Sequence, residues 1–535
     1  MRNAILERLK SQSFDVLVIG GGGTGCGIAV DAAARGLKTA LVERYDFAEG
    51  TSSRSTKLVH GGVRYLEAAI KHLNRAQYHL VREALHERGI FLRNAPHLSN
   101  RLALVTPLYA WLEVPYVFAG LKIYDVLSGS MNIGHSRLIG RDEALRRFPH
   151  LAPDGLKAAV IYYDGQFDDS RMAVALALTA RQQGATVLNH VEVTALDKAD
   201  GAICGARARD RISGEEFCIR ARAVINATGA FVDRLRHMDD AAAPPLVTAS
   251  SGIHIVLPGH FVPEDTGLLI PKTADGRVLF ILPWQGHAIV GTTETPTEIV
   301  DHPRATEQEI EYLLHHVNEY FDLQVTKSDI AAVWSGLRPL VQPAASTNTA
   351  ELVREHKLEV SAAGLLSVAG GKWTSYRRMA EEAVDLAVET FGLDPARGCV
   401  TDALRLVGGE RFDPADEEAL RRDYDLPVDV ARRLHLAYGD RARSVAEIAR
   451  AGLMARLHPD HPYVEAEVVH AARDELAEHA SDVVVRRLPL ALLDTAAAKA
   501  ALPRIVELMA RERGWDAARR DNEMSEATRR LNDAI

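Results

Sequence analysis

Residues 14–44 carry the feature that most constrains this chain. An almost unbroken apolar run, FDVLVIG (Phe14 to Gly20), ends in glycines and leads straight into a segment of small residues. A run without polar alternation suits a parallel strand covered on both faces. Thr24 to Arg35 reads as the following helix, Gly36 closes it, and Leu37 to Arg44 (LKTALVER) reads as the next strand. The whole is a βαβ unit of roughly 30 residues, so the fold class is α/β with a parallel sheet. Gly20, Gly22 and Gly25 form a GxGxxG at the strand-to-helix turn. There the glycines permit a tight turn and let the backbone approach a pyrophosphate, which rests on the helix N-terminus. Glu43 ends the second strand about 20 residues on, where a carboxylate accepts hydrogen bonds from an adenosine ribose and repels a 2′-phosphate. A dinucleotide, NAD or FAD, follows from this stretch.

The 535 residues suggest about three packed units. Leu66 to Glu87 shows helical spacing. Val160–Tyr163, Thr186–Val193, Gly205–Asp210, Glu216–Ile219, Ala223–Asn226, Ser251–Val256, Val278–Leu282 and Ala288–Gly291 read as strands. From Pro395 the text turns Ala-, Arg- and acid-rich, which predicts a separate helical C-terminal domain. The net charge of −9 argues against a protein that coats nucleic acid, whose footprint is basic. Cys26, Cys204, Cys218 and Cys399 are far apart and form no CxxC, which excludes a zinc ribbon or disulfide scaffold and fits a reducing compartment. No metal ligand set is apparent. The N-terminal MRNAILERLKSQS has no apolar targeting core and reads as a short amphipathic lead-in helix, and no stretch is apolar and long enough to span a bilayer.

Residues 51–67, TSSRSTKLVHGGVRYLE, are too polar for a core. Thr51, Ser52, Ser53, Ser55 and Thr56 supply hydroxyls, Arg54, Lys57 and Arg64 supply charge, and Gly61-Gly62 allows close backbone approach. Composition alone reads this as a solvated basic loop or as an anion site. The run from GGGGTGCGIAVDAAARGLKTALVERYDFAEG through this segment resembles the N-terminal signature of the FAD-dependent glycerol-3-phosphate dehydrogenases, in the D-amino-acid-oxidase-like flavoprotein superfamily. The resemblance continues through Val105–Gly129, VINATGAFVD, FILPWQGHAIVGTTE, WSGLRPL and SVAGGKWTSYRRMAEEAVD, covering about Phe14 to Leu393, and the tail is similar to that family's C-terminal domain. Ser375 stands where the family has Thr, and no acidic loop of EF-hand spacing is present in the tail.

The resemblance implies a Rossmann-like FAD-binding domain (14–100, 151–235 and 355–394), an antiparallel-sheet substrate-binding domain (101–150 and 236–354) and the helical domain 395–535. It implies oxidation of sn-glycerol 3-phosphate to dihydroxyacetone phosphate, with electrons passed to a membrane quinone at the inner face of the cytoplasmic membrane, where the protein rests peripherally. Thr51, Ser52, Ser53, Lys57, His60, Gly61 and Gly62 are expected along the flavin, Ala227 and Gly229 at its pyrophosphate side, and Val193 at the adenine end. Gly371, Lys372 and Thr374 are expected at the isoalloxazine and ribityl, with Lys372 stabilising charge on the reduced flavin. Arg64, Tyr65, Arg338 and Arg354 are the candidate phosphate ligands, since guanidinium forks grip a dianion in a way Lys does not. Arg354, among Glu351, Glu355 and Lys357, reads equally as a surface ion pair.

His254 is the first candidate base, because its ordinary pKa lies near neutrality. A core histidine is the bland alternative, His60 is the second candidate, and Arg338 serves as a polarising cation. The aromatic piece Tyr109–Tyr124 reads as membrane contact or as core. A flavin oxidase of glycerol 3-phosphate, or of another small hydroxy or amino acid, using O2 is the alternative function. A non-catalytic nucleotide-binding module leaves the arginines without purpose, and an NAD enzyme leaves the TSSRSTKLVHGG loop without one. Monomer or homodimer stays open.

Overall fold

The computed structural model describes residues 2–62, 75–270, 273, 277–342 and 356–533. Strand Ser13–Ile19 is buried over nearly its whole length and pairs in parallel on both sides: Val18 lies opposite Ile225 in one neighbour and Leu41 in the other. Five parallel strands form the centre of the first sheet, in the order Leu365–Gly370, Glu216–Asn226, Ser13–Ile19, Thr39–Val42, Thr186–Leu188. Antiparallel strands His356–Val360, Val191–Ala199 and Ala202–Asp210 complete it. Helix Gly23–Ala34 packs against helices Asp169–Gln182 and Tyr376–Phe391. Its small residues permit this closeness: a Cβ on Gly27 would stand 2.8 Å from the Tyr376 ring. The lead-in helix Arg2–Ser11 buries Ile5, Leu6 and Leu9 in the same core.

The second sheet runs Thr295–Thr297, Val247–Pro258, His287–Gly291, Leu279–Trp284, Thr266–Ile270, Ser99–Leu108, Ala158–Phe167, Leu58–Val59. Strand Ala332–Val341 pairs along Val247–Pro258, and Arg137–Gly140 along Ala158–Phe167. All pairs are antiparallel except Thr266–Ile270 with Ser99–Leu108. Strands Leu58–Val59 and Ala158–Phe167 fall inside spans expected in the FAD-binding domain, yet they hydrogen-bond in this sheet, the latter in register with all of Ser99–Leu108.

Three elements differ from the sequence expectation. Glu216–Asn226 is one strand rather than two, because Arg220 and Arg222 face solvent while Ala221 and Ala223 stay in the core. The segment 186–193 is broken in two by His190, whose φ is +55°. The helix expected over Leu66–Glu87 is described as Arg75–Asn94, beyond the expected end; residues 66–74 lie outside the described residues.

The tail from Asp416 to Asn532 is helical and is clamped to the loop that follows Thr39–Val42. Asp46 receives a two-pronged fork from Arg487 (2.7 and 2.9 Å) and a third bond from Arg486 Nε (2.7 Å), all buried. Glu49 pairs with Arg486 (2.7 Å) and with Arg530. Burial pushes the Glu49 and Glu475 carboxyls up, but surrounding arginines hold both down to about 2. Their ordinary value is 4.5, so their contribution to stability is complete above that pH and is lost as pH falls towards about 2. Breaking one partner of a buried ion pair costs about 3–5 kcal/mol. Arg486→Met removes the guanidinium that most lowers the Glu49 carboxyl and is therefore expected to lower the thermal unfolding midpoint clearly at neutral pH and much less near pH 2.5, as a melting series would read.

Candidate active site

The glycine loop joins Ser13–Ile19 to helix Gly23–Ala34. A Cβ on Gly25 would lie 1.9 Å from the Gly20 carbonyl oxygen, and Gly20 itself has a φ of +114° with the Ala227 carbonyl 2.5 Å from its Cβ position. No side chain larger than hydrogen fits at either place. The helix begins after Gly22 without a side-chain cap, so its N-terminal amides face outward as an anion-binding end, except that Gly23 N donates to Ser52 Oγ (3.0 Å). Glu43 accepts from Gly21 N (2.6 Å) and Tyr45 N (2.8 Å), which brings its carboxylate to the loop. Burial pushes the Glu43 carboxyl up, and these two amides pull it back. Val193 lies buried beyond Glu43, whose carbonyl accepts from Val191 N (2.7 Å). Ala227 N donates to Ile19 O (2.9 Å), and Gly229 (φ +59°) opens the turn Gly229–Phe231 beside the same loop. An uncapped helix end, a turn too tight for any residue but glycine and a carboxylate at the next strand fit a dinucleotide.

Two further segments meet this loop. Residues 51–62 form a strap held at several points. Thr51 Oγ1 donates to Leu337 O (2.6 Å), Trp373 Nε1 to Ser52 O (2.9 Å), Thr374 Oγ1 to His60 O (3.2 Å), and Gly61 N to Tyr124 Oη (2.7 Å). Gly62 and Gly371 both take positive φ, +82° and +83°. Lys372 is half-buried where the turn Trp373–Ser375 begins, and its carbonyl accepts from Ser375 N (3.1 Å). The glycine loop, the strap and the 370–375 turn, all expected at the cofactor, are thus brought together.

Lys57 behaves differently from its neighbours. Its ammonium is fully buried, donates to Ser53 O (2.8 Å) and Asp169 Oδ1 (2.6 Å), and lies 4.9 Å from both the Trp284 and Trp334 ring centres. The charge is used inside the protein, where Lys57 shapes the strap. Asp169 also accepts from Ser55 N (3.1 Å) and Ser55 Oγ (2.7 Å).

The second sheet presents the remaining candidates by register. Ser250 lies opposite Arg338, Gly252 opposite Gly336, and His254 opposite Trp334, so all six share one face. Arg338 folds back over Gly252, where a Cβ would meet its guanidinium at 2.4 Å, and donates to Thr293 O (3.0 Å) and Thr292 Oγ1 (2.9 Å). His254 stacks on Trp334 with centroids 4.0 Å apart, and its Nε2 lies 3.0 Å from Thr56 Oγ1 of the strap. Burial first, then Arg338 and Lys57, push its pKa well below the ordinary value, which keeps the imidazole neutral. Arg64, Tyr65 and Arg354 lie outside the described residues.

Asp169 and Trp334 were not among the sequence candidates. Asp169 opens helix Asp169–Gln182, and in the sequence DDSR it carries only the signal of a helix start.

A parallel sheet with a glycine loop, set against an antiparallel sheet that faces the loop's strap with a histidine and an arginine, defines a dinucleotide-binding oxidoreductase class. Residues 15–386 match the family model "FAD dependent oxidoreductase", and residues 399–520 match "C-terminal domain of alpha-glycerophosphate oxidase". The mitochondrial glycerol-3-phosphate dehydrogenase of Mus musculus is 47% identical over 99% of this chain and 75% of its own length. The probable mitochondrial glycerol-3-phosphate dehydrogenase of Caenorhabditis elegans is 48% identical over 98% and 74%. The crystal structure of the glycerol-3-phosphate dehydrogenase from Bacillus halodurans, complexed with FAD, superposes with a TM-score of 0.82 at 29% identity, covering 100% of this chain and 97% of that one. The chain belongs to the FAD-dependent oxidoreductase family, in its glycerol-3-phosphate dehydrogenase branch. FAD is its cofactor.

Replacing Asp169 by Asn leaves the Lys57 ammonium buried without its counter-charge, which costs about 3–5 kcal/mol. Asp169→Asn is expected to purify with reduced FAD content and a lower melting temperature, read by visible absorbance and calorimetry. The double variant Lys57→Met/Asp169→Leu removes both charges and is expected to regain part of the lost melting temperature.

Proposed function

We propose that this protein oxidises sn-glycerol 3-phosphate to dihydroxyacetone phosphate and delivers the electrons to a membrane quinone. The observation that carries this reading is the shared sheet face on which His254 and Arg338 stand beside the strap. The names of the relatives support the substrate. The chemistry that FAD supplies when bound is hydride acceptance from C2 and onward transfer of two electrons.

The chain's own residues do the rest. Arg338, held by a carbonyl and a hydroxyl, grips the phosphate together with Arg64, Tyr65 and Arg354. Neutral His254 takes up the proton of the C2 hydroxyl. Arrival of a phosphate dianion offsets the field of Arg338 and Lys57, which raises the basicity of His254 when it is needed. Lys372 places positive charge at the cofactor end of the site. Binding in one cleft turns the encounter of base and hydroxyl into an intramolecular one.

A surface that suits a membrane lies on helix Glu113–Ser128 and the residues before it. Trp111, Leu112 and Val126 are 67%, 90% and 78% exposed, and Tyr116 and Ile123 are exposed beside them. No described helix is long and apolar enough to cross a membrane. This face supports peripheral attachment to the cytoplasmic membrane, with the quinone drawn from the bilayer.

Anaerobic addition of glycerol 3-phosphate is expected to bleach the flavin band, and a soluble quinone analogue is expected to restore it faster than air. A band that stays unbleached rejects the substrate, and restoration by air alone favours an oxidase. Arg338→Lys is expected to raise the KM for glycerol 3-phosphate about tenfold or more at unchanged flavin content, because a lysine gives up the fork. Trp111→Glu/Leu112→Glu is expected to abolish co-sedimentation with liposomes and to leave anaerobic bleaching intact.

A further inference from the structure

The base assigned above has no open path of its own. His254 is 2% exposed, one ring face is covered by Trp334, and Gly291 crowds its other side, where a Cβ would lie 2.2 Å from Cδ2. Nδ1 is buried and has no hydrogen-bond partner among the described residues. Among the described residues, the one polar contact of the ring is Nε2 to Thr56 Oγ1, at 3.0 Å. Thr56 is only half-buried, so its hydroxyl stands between the enclosed imidazole and the strap surface.

The strap is built to aim that hydroxyl. Asp169 clamps Ser55 through its amide and hydroxyl (3.1 and 2.7 Å) and Lys57 through its ammonium (2.6 Å), and Lys57 turns at a φ of +62°. With the residues before and after it fixed to one carboxylate, Thr56 is left to project the other way, onto His254. Two charged groups bear on the imidazole: Arg338 from the neighbouring strand and Lys57 from the strap, the latter paired with Asp169.

Resting on the reading of His254 as the base, we propose that Thr56 is a catalytic residue that relays the substrate proton to His254. The C2 hydroxyl of the substrate gives its proton to Thr56 Oγ1 as the Thr56 proton passes to His254 Nε2. The O–H bond of the substrate and the original O–H bond of Thr56 break, a new Thr56 O–H and an Nε2–H form, and threonine ends as it began. The hydride and its electron pair leave C2 for the oxidant of the reaction, FAD. The relay requires Nε2 to be the bare nitrogen in the resting enzyme, with the ring proton on Nδ1.

The test compares Thr56→Val, Thr56→Ser and His254→Gln as FAD-loaded enzymes. Thr56→Val is expected to lower the rate of anaerobic flavin bleaching by about 10²–10⁴-fold, the range general base catalysis supplies, with unchanged KM, FAD content and melting temperature. Thr56→Ser keeps the hydroxyl and is expected to stay within about tenfold of the parent. The double variant Thr56→Val/His254→Gln is expected to be no slower than the slower single variant, because both interrupt one path. Histidine-selective 15N spectra of the parent protein give a readout apart from activity: they are expected to show a neutral ring protonated on Nδ1. Two results overturn the relay while leaving the base in place: Thr56→Val bleaching at the parental rate while His254→Gln is slow, or a resting ring protonated on Nε2. A His254→Gln enzyme with the parental rate removes the base itself, and a parent protein that glycerol 3-phosphate fails to bleach removes the reading beneath both.

Discussion

A lysine and an aspartate, both wholly enclosed, set the geometry on which the site depends. The Lys57–Asp169 pair has neither side chain exposed to solvent. Two such charges lose several kcal/mol each of hydration when buried, and their attraction repays this only if the remaining hydrogen-bonding capacity is satisfied. Here it is satisfied closely: Lys57 also donates to Ser53 O and lies over two tryptophan rings, and Asp169 also accepts from Ser55 twice. A greasy pair of the same volume would hold the backbone with equal stability but without direction. The ionic pair instead fixes which way residues 55, 56 and 57 point, and so decides what the strap shows to the second sheet.

The rest of the molecule converges on the strap or on the loop just before it. The first sheet reaches it through Gly23 N on Ser52 and the 370–375 turn through Trp373 and Thr374. The second sheet reaches it through Leu337 O, one residue before Arg338. The tail holds the preceding loop through Asp46 and Glu49. Helix Glu113–Ser128 touches Gly61 with Tyr124 on its inner side and exposes Trp111, Leu112 and Val126 at its start and outer side. The apolar surface and the strap are therefore one helix apart. The strap is a junction between two sheets and a tail, and none of them alone would hold it.

What the sequence makes legible is local. The glycine loop, its helix and Glu43 lie within a span of 24 residues, from Gly20 to Glu43, and part of what forces them lies inside it: Gly25 against the Gly20 carbonyl and Gly21 N on the Glu43 carboxylate. His254 and Arg338 were nominated 84 positions apart through family resemblance, and only strand pairing reveals that they share a face. Asp169 shows why the rest stays hidden. Its partners are 112 and 114 residues away, while its neighbours in sequence give it the look of an ordinary helix start. Lys57 shows the same limit, because its polar, hydroxyl-rich neighbours leave open a solvated loop or an anion site, and only the fold shows its ammonium enclosed with Asp169. The merged strand Glu216–Asn226 follows the same rule: two outward arginines resemble a turn when only the chain is read, and resemble an exposed strand face once the sheet is in place.

The net charge of −9 gives no hint of where cations are gathered, and the structure shows how buried ones coexist with it. Acidic groups are distributed so that several buried cations meet direct partners: Lys57 meets Asp169, Arg487 meets Asp46, and Arg486 meets Asp46, Glu49 and Asp482. Arg338 donates to the carbonyl of Thr293 and the hydroxyl of Thr292, which orient its guanidinium on the sheet face it shares with His254. Burial first, and then the charges of Arg338 and Lys57, hold His254 neutral; on the proposed reading the same arginine also binds the phosphate, so one side chain links substrate binding to the basicity of the imidazole.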